Sequence, residues 1–207
     1  VLYSINQYQL NDFYNLSLGL FNPQKKYANH KTFKKIIYNY SINNKICTIP
    51  IIFQIKKPTK TTKIKLLFNK RIIGHILIDD IFKIEEKDLM HLYGVKKNNK
   101  LSHPGYFYQS QLGEYAIGGK PFINYSTFDS FKKKYDFKNQ FKNFFIKNNI
   151  MNPVAFQTRN PPHKGHEFQI KNGLLYSNNL VINPIFGWKK EGDFNEKIVK
   201  SAYNIFI

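Results

Sequence analysis

The stretch Gln157-Thr158-Arg159-Asn160-Pro161-Pro162-His163-Lys164-Gly165-His166 gathers many groups able to grip an anion into one short segment. His163 and His166 stand three apart, so on a helix they share one face of the first turn, where two imidazoles can donate to neighbouring phosphate oxygens. Gly165 between them lets a ligand come close to the backbone. Gln157 and Arg159 flank Thr158 in an extended lead-in, so their side chains point to one side and can hold a small tetrahedral oxyanion. The planar guanidinium of Arg159 suits such oxygens better than a lysine does. Thr158 and Asn160 are neutral donors for oxygens that gain charge in a transition state. Each residue also has a structural reading: Arg159 as a salt-bridge partner, Gln157 and Asn160 as loop caps, the prolines as chain stiffeners. A zinc pair of His163 and His166 is disfavoured, because no cysteine or third ligand stands near them in sequence. Six polar groups between an apolar run and a helical pattern point instead to a nucleoside triphosphate and a second anion.

Such a loop needs a strand before it and a helix after it. Pro153 to Phe156 reads as a buried strand and Lys164 to about Ser177 as a helix. Pro161 and Pro162 suit the turn into a first helical position, and Glu167 sits where an acid favours a helix start. The unpaired amides and positive dipole end of that helix stabilise a bound anion. Leu180 to Phe186 is a second strand, which makes this part the beginning of a parallel α/β sheet. Ile198, Val199, Ala202, Tyr203 and Phe206 then form one apolar helix face that needs a cover. The chain begins at Val1 and ends within that pattern, so it is expected to be cut at both ends, with more strands to follow.

The earlier residues are β-rich. Leu10 to Leu20 is a short helical or irregular entry, and Thr32 to Tyr40 a helix with Phe33, Ile36, Ile37 and Tyr40 on one side. Ile46 to Ile55, Lys63 to Asn69 and Ile72 to Ile84 are strand-like, with a turn at Asn69-Lys70. Glu85 to Tyr93 has the polarity of a helix. His103-Pro104-Gly105 reads as a turn, and Gly118-Gly119 as a tight bend between two short strands. A small barrel or curled sheet is expected. Phe128 to Lys147 is expected to be a helical bridge with Phe128, Phe131, Tyr135, Phe141, Phe144 and Phe145 on its buried side, and Lys132-Lys133-Lys134 as a solvated face. The expected domains are 1–125, a bridge at 126–150, and 151–207.

At 207 residues and 42% hydrophobic content the chain can bury a sizeable core. Its net charge of +19 comes from lysines spread along the whole length. That pattern reads as solvated surface, and Arg71 and Arg159 are the only arginines. The single cysteine, Cys47, excludes an internal disulfide, fits a reducing compartment and reads as an inert buried thiol in a strand. No apolar run is long enough to span a membrane.

The motif resembles the signature of the ATP sulfurylase family, in which Gln-x-Arg-Asn is followed by His-x-x-His after a Val-Ala-Phe strand. Asn183-Pro184-Ile185-Phe186-Gly187, then Lys189, Lys190, Gly192 and Asp193, are similar to the family's second strand and following loop. Asp79 to Lys83, His103-Pro104-Gly105 and Gly118-Gly119 fall in the order of its N-terminal domain. The resemblance implies an α/β and β protein: an N-terminal PUA-like β-rich domain, then the first part of a Rossmann-like parallel α/β nucleotidyltransferase domain. It implies cytoplasmic sulfate activation or sulfur oxidation, in which sulfate attacks the α-phosphorus of ATP and pyrophosphate leaves, reversibly. Gln157 and Arg159 would bind sulfate, and Arg159, Asn160, His163 and His166 would bind ATP. Thr158, Arg159, Asn160, His163 and His166 would be catalytic, and Mg2+ would arrive with ATP and no tightly bound metal. ATP and sulfate are the implied partners, with a homo-oligomer at full length and neither membrane nor nucleic acid. The family's downstream Gly-Arg-Asp loop is absent from the chain, and the pattern near Phe21-Asn22-Pro23 departs from the family at Lys25-Lys26-Tyr27. Another adenylyltransferase of the His-x-Gly-His type, or an RNA-binding PUA-like module, are the alternatives.

Overall fold

The computed structural model describes residues 1–128, 137–186 and 192–206. It divides into two compact units, Val1–Lys138 and Asn139–Ile207.

In the first unit, β1 (Leu2–Ser4) leads into α1 (Gln7–Ser17), whose start is fixed by a capping box: Asn6 accepts from the Gln9 amide and Gln9 accepts from the Asn6 amide. The helix therefore begins before Leu10. Leu10, Phe13 and Tyr14 lie on its buried face. α2 (His30–Asn39) begins at the cap Asn29 and buries Phe33, Ile36 and Ile37. Tyr40, expected on that face, is instead the left-handed residue that ends the helix, which turns its ring out to solvent. The expected strand Ile46 to Ile55 breaks in two. After β2 (Ser41–Ile42) comes β3 (Lys45–Ile46), and only β4 (Phe53–Ile55) joins the main sheet. Cys47 accordingly lies just past β3, half-buried and outside any strand, and its burial raises the thiol pKa.

β5 (Lys63–Phe68) and β6 (Arg71–Lys83) form a hairpin around Asn69-Lys70, where both residues have positive φ as a primed turn requires. α3 (Glu86–Tyr93) follows as expected. His103-Pro104-Gly105 opens a helix, α4 (Pro104–Leu112), and is not a simple turn. The His103 Nδ1 accepts from the Gly105 and Tyr106 amides, and Pro104, with no amide to satisfy, enters the first turn.

The Gly118-Gly119 bend is also corrected, because both residues lie inside one strand, β7 (Tyr115–Ile123). Small residues are needed there because other backbone comes close. A Cβ on Gly119 would stand 2.2 Å from the Leu77 carbonyl oxygen, and one on Gly118 would stand 2.5 Å from the Asn29 Cα. α5 (Tyr125–Phe128) then places Phe128 in the core.

Among the described residues the main sheet runs β1-β5-β6-β7-β4, parallel at β1-β5 and antiparallel elsewhere. It is curled, since the Tyr3 and Phe53 rings of the two edge strands meet edge to face at 6.3 Å. α1 packs against the sheet through Phe13, Tyr14, Ile64, Leu66, Ile76 and Ile117. A second cluster joins Phe33, Ile36 and Ile37 of α2 to Phe82, Leu89 and Tyr106. Beside it Asp88, almost wholly buried, accepts from Lys34 Nζ at 2.8 and 2.7 Å and from the Tyr38 hydroxyl at 2.8 Å. A buried charge so paired keeps α2 and α3 in register.

The second unit begins within α6 (Phe137–Lys147). Phe141 and Phe144 of α6 are exposed, which corrects the expectation that they form a buried side. Phe131, Tyr135 and Lys132-Lys133-Lys134 lie outside the described residues, as do Gly187, Lys189 and Lys190. β8 (Val154–Thr158), α7 (Lys164–Leu174) and β9 (Leu180–Pro184) form a parallel strand–helix–strand unit, registered from Val154 opposite Leu180 to Thr158 opposite Pro184. α8 (Glu196–Phe206) buries Val199 and Tyr203. No helix among the described residues is long and apolar enough to cross a membrane.

One carboxylate on α1 is costly. Burial raises the Asp12 pKa to about 6, and burial, with Asp12 second, raises those of Tyr27 and Tyr93. A carboxyl whose folded pKa lies above its unfolded value stabilises fully only below the unfolded value, and that contribution is lost as pH rises through about 6. Asp12→Asn should therefore stabilise the protein at pH 7.5 by about 2 kcal/mol and change little at pH 4. Thermal unfolding at the two pH values checks this; equal melting temperatures at pH 7.5 would show that the carboxylate is well solvated.

Candidate active site

β8 delivers the motif at its C-terminal end. Thr158 is its last residue and is buried, while Gln157 before it is exposed, as strand alternation requires. The Ile185 amide donates to the Thr158 carbonyl at 2.8 Å, which ties the start of the loop to the segment after β9. The Thr158 hydroxyl accepts from the Asn160 amide at 3.2 Å, a side-chain-closed turn that swings the chain away from the strand.

The helix starts at Lys164, as expected. His163 is the cap, so Pro161 and Pro162 precede the cap and do not occupy a first helical position. Two prolines still suit the place, because extended geometry is needed ahead of the cap. The His163 Nδ1 accepts from the Gly165 amide at 3.1 Å, a task usually performed by Ser, Asp or Asn. That ring folds over Gly165, where a Cβ would stand 3.0 Å from His163 Cε1. The glycine makes room for the cap.

His163 and His166 do share one face. Their rings stack with centroids 3.7 Å apart at 26°, and the edge of Phe156 meets His166 at 5.3 Å. The two rings face different surroundings. His163 is exposed, whereas His166 turns inward with Nε2 3.5 Å from Thr158 Oγ1 and Nδ1 buried without a hydrogen bond of good geometry. Burial, and secondly the His163 ring, lower the His166 pKa, opposed by the Pro161 backbone. Burial thus favours the neutral form of His166.

Arg159 is partly exposed, with Nη2 3.8 Å from Asp193 Oδ1. Asp193 lies far along the sequence, and nothing local to either residue signals the pairing. Gln157, Arg159, Asn160 and His163 all keep solvent contact, and Thr158 and His166 form the inner side of the loop. Sequence reasoning treated Tyr203 only as part of an apolar face. Its hydroxyl is buried beside Thr158. Among the described residues no group of three or more His, Cys, Asp or Glu side chains could hold a metal ion.

A curled β domain is followed along the chain by a parallel strand–helix–strand unit whose helix starts at a histidine cap, so the fold class is a PUA-like β domain with an α/β unit after it. Residues 2–123 match the PUA-like domain family, and the chain belongs to that family. Residues 132–207 match the ATP-sulfurylase family. The curated relatives agree. The chain is 28% identical over 203 residues to the sulfate adenylyltransferase of Ignicoccus hospitalis, covering 95% of this chain and 52% of that protein. It is 28% identical over 199 residues to that of Pyrococcus abyssi, covering 95% and 52%. With that of Staphylothermus marinus the identity is 26% over 210 residues, covering 98% and 54%. The chain thus spans about half the length of the curated relatives it matches. Its fold is also similar to a solved structure described as a hexameric APS kinase from Thiobacillus denitrificans, with a TM-score of 0.61 at 10% identity over 99% of this chain and 37% of that one.

If His163 caps α7, His163→Ala should destabilise the second unit by about 1 kcal/mol, the usual worth of a cap. His163→Asn should restore the loss, because an amide oxygen accepts the same amide hydrogen. Chemical denaturation followed by circular dichroism distinguishes them; equal loss in both variants would show that the ring contributes by stacking rather than capping.

Proposed function

We propose that the protein carrying this chain is a sulfate adenylyltransferase, joining sulfate to the adenylyl group of ATP and releasing pyrophosphate. The observation that carries the reading is a stacked His163–His166 pair at a helix N-terminus, preceded at the C-terminal end of β8 by Gln157 and Arg159, in a segment that matches the ATP-sulfurylase family. Gln157 and Arg159 take the sulfate, with the guanidinium fork meeting two of its oxygens. Arg159 also reaches the nucleotide. Asp193, 3.8 Å from the Arg159 Nη2, helps set the position of the guanidinium.

A sulfate oxygen attacks the α-phosphorus. An S–O–P link forms, the anhydride bond between the α- and β-phosphates breaks, and the electron pair leaves on pyrophosphate. No side chain has to act as a nucleophile. Asn160 offers an exposed amide at the point of bond exchange, and Thr158 holds the loop there through its hydrogen bonds. His163, exposed at the helix start, faces the departing pyrophosphate, and His166 backs it. The amides and dipole of α7 add to the stabilisation of that charge. Mg2+ enters with ATP as part of the substrate. Catalysis on this reading is positioning and electrostatics. The reducing setting implied by a lone, unpaired Cys47 supports a cytoplasmic place in sulfate assimilation.

The test is pyrophosphate release from ATP by the protein carrying this chain, with sulfate or molybdate as the variable. Release should depend on the oxyanion, and Arg159→Ala should reduce it by about 100-fold or more, the cost of removing a charged donor from a developing anion. Oxyanion-independent release would point to an adenylyltransferase with a different acceptor, and near-normal turnover in Arg159→Ala would remove that residue from the site.

A further inference from the structure

The inner side of the loop holds three polar groups whose hydrogen bonding is unfinished. The Tyr203 hydroxyl, on α8, is buried without a partner of good geometry, though it lies close enough to the Thr158 hydroxyl for the two to interact. Thr158 Oγ1 accepts from the Asn160 amide and stands 3.5 Å from His166 Nε2. The His166 Nδ1 is buried as well. Buried polar atoms left unpaired are costly, so a small shift that joins these groups is favoured.

Two arrangements use every position on the threonine, with the hydrogens running from Tyr203 toward His166 or the reverse. In the reverse order Tyr203 only accepts, and its buried O–H is left without an acceptor. A hydroxyl carries one hydrogen to give and two lone pairs to receive. One lone pair takes the Asn160 amide hydrogen. We propose that Tyr203 is a positioning residue: its O–H donates to the second lone pair of Thr158 Oγ1, and Thr158 donates its own hydrogen to His166 Nε2. The proton of the neutral ring then lies on Nδ1, on the side of the Pro161 backbone. This rests on the reading of the loop as an anion site, and it adds α8 to the machinery. Tyr203 fixes the tautomer and tilt of the ring on which His163 stacks.

The arrangement also keeps His166 neutral. A protonated ring would have to donate from Nε2, and Thr158 could receive it only by turning its own hydrogen to the tyrosine oxygen, which leaves the buried Tyr203 O–H without an acceptor. The groups facing His166 are His163 on the same helix, Thr158 and Phe156 on β8, the Pro161 backbone in the loop and, through Thr158, Tyr203 on α8. None of these groups is a carboxylate. Removing the tyrosine hydroxyl frees a lone pair on Thr158 and makes the imidazolium easier to form.

The six histidines of the chain can be followed by NMR through their Cε1 protons, with His166→Gln identifying the signal of interest. In the unliganded chain, Tyr203→Phe should raise the His166 pKa by about half a unit to one unit, the size of one hydrogen bond. The fold should persist by circular dichroism, and the signals of the other histidines serve as the control. An unchanged His166 titration in folded Tyr203→Phe, or an equal drift of all six histidines, overturns the assignment. Should Tyr203→Phe fail to fold, Thr158→Val and Thr158→Ser carry the test: valine should raise the His166 pKa and serine should hold it, and identical titrations in the two overturn the proposal. The measurement contains neither nucleotide nor sulfate. A protein that shows the shift and lacks oxyanion-dependent chemistry keeps this inference and discards the reaction.

Discussion

The N-terminus of α7 has to satisfy its own amides before it can hold anything else, and His163 is the residue that begins to do so. Using an imidazole for this purpose has several consequences. The ring must fold back over the first turn, so the residue beneath it is Gly165. Folded back, it stacks on His166, three residues along the same face. His166 is then pressed toward β8, where its free nitrogen meets Thr158. One capping bond thus orders the sequence of contacts from solvent to the interior, and leaves the remaining amides of the first turn with the positive end of the dipole facing outward.

Strand pairing supplies the rest of the support. Parallel β8 and β9 bring the Thr158 carbonyl to the Ile185 amide, so the loop leaves the sheet from a fixed point. Asp193 then reaches Arg159 from the segment that follows β9. In parallel α/β units ligands gather beyond the carboxyl ends of the strands, and every group considered for the site lies there. The first unit is organised differently. Its curled sheet wraps a core closed by α1, and backbone comes close enough at Gly118 and Gly119 that side chains would not fit. A half-buried carboxylate, Asp12, and a fully paired buried one, Asp88, show two outcomes of taking charge out of water within one small domain.

Much of this was legible in the sequence where the signal is local. The Asn69-Lys70 hairpin, the amphipathic α3 and α8, and the strand–loop–helix around the motif all follow from periodicity and turn chemistry acting over a few residues. Misreadings occurred where a local signal has two physical causes. Gly-Gly marks a bend as often as a close backbone approach, and His-Pro-Gly serves a turn as well as a helix start capped by imidazole. The exposure of Tyr40 follows from a left-handed residue that periodicity does not detect. The half-buried position of Cys47 follows from a strand that stops early, before its apolar run ends.

The sequence by itself determined which chemical groups are present and that they lie between a strand and a helix, because residue identity, alternation and helical spacing are properties of neighbours along the chain. Only the tertiary structure decided which of those groups look outward. Gln157, Arg159, Asn160 and His163 keep solvent contact, while Thr158 lies inward beside Tyr203 and His166 faces Thr158. It alone decided that Arg159 meets Asp193, and that a tyrosine read as apolar filling brings a hydroxyl beneath the loop. The reason is the same in each case. Burial and hydrogen-bond partnership depend on what packs against a residue from distant segments, and that information is absent from any local stretch of sequence.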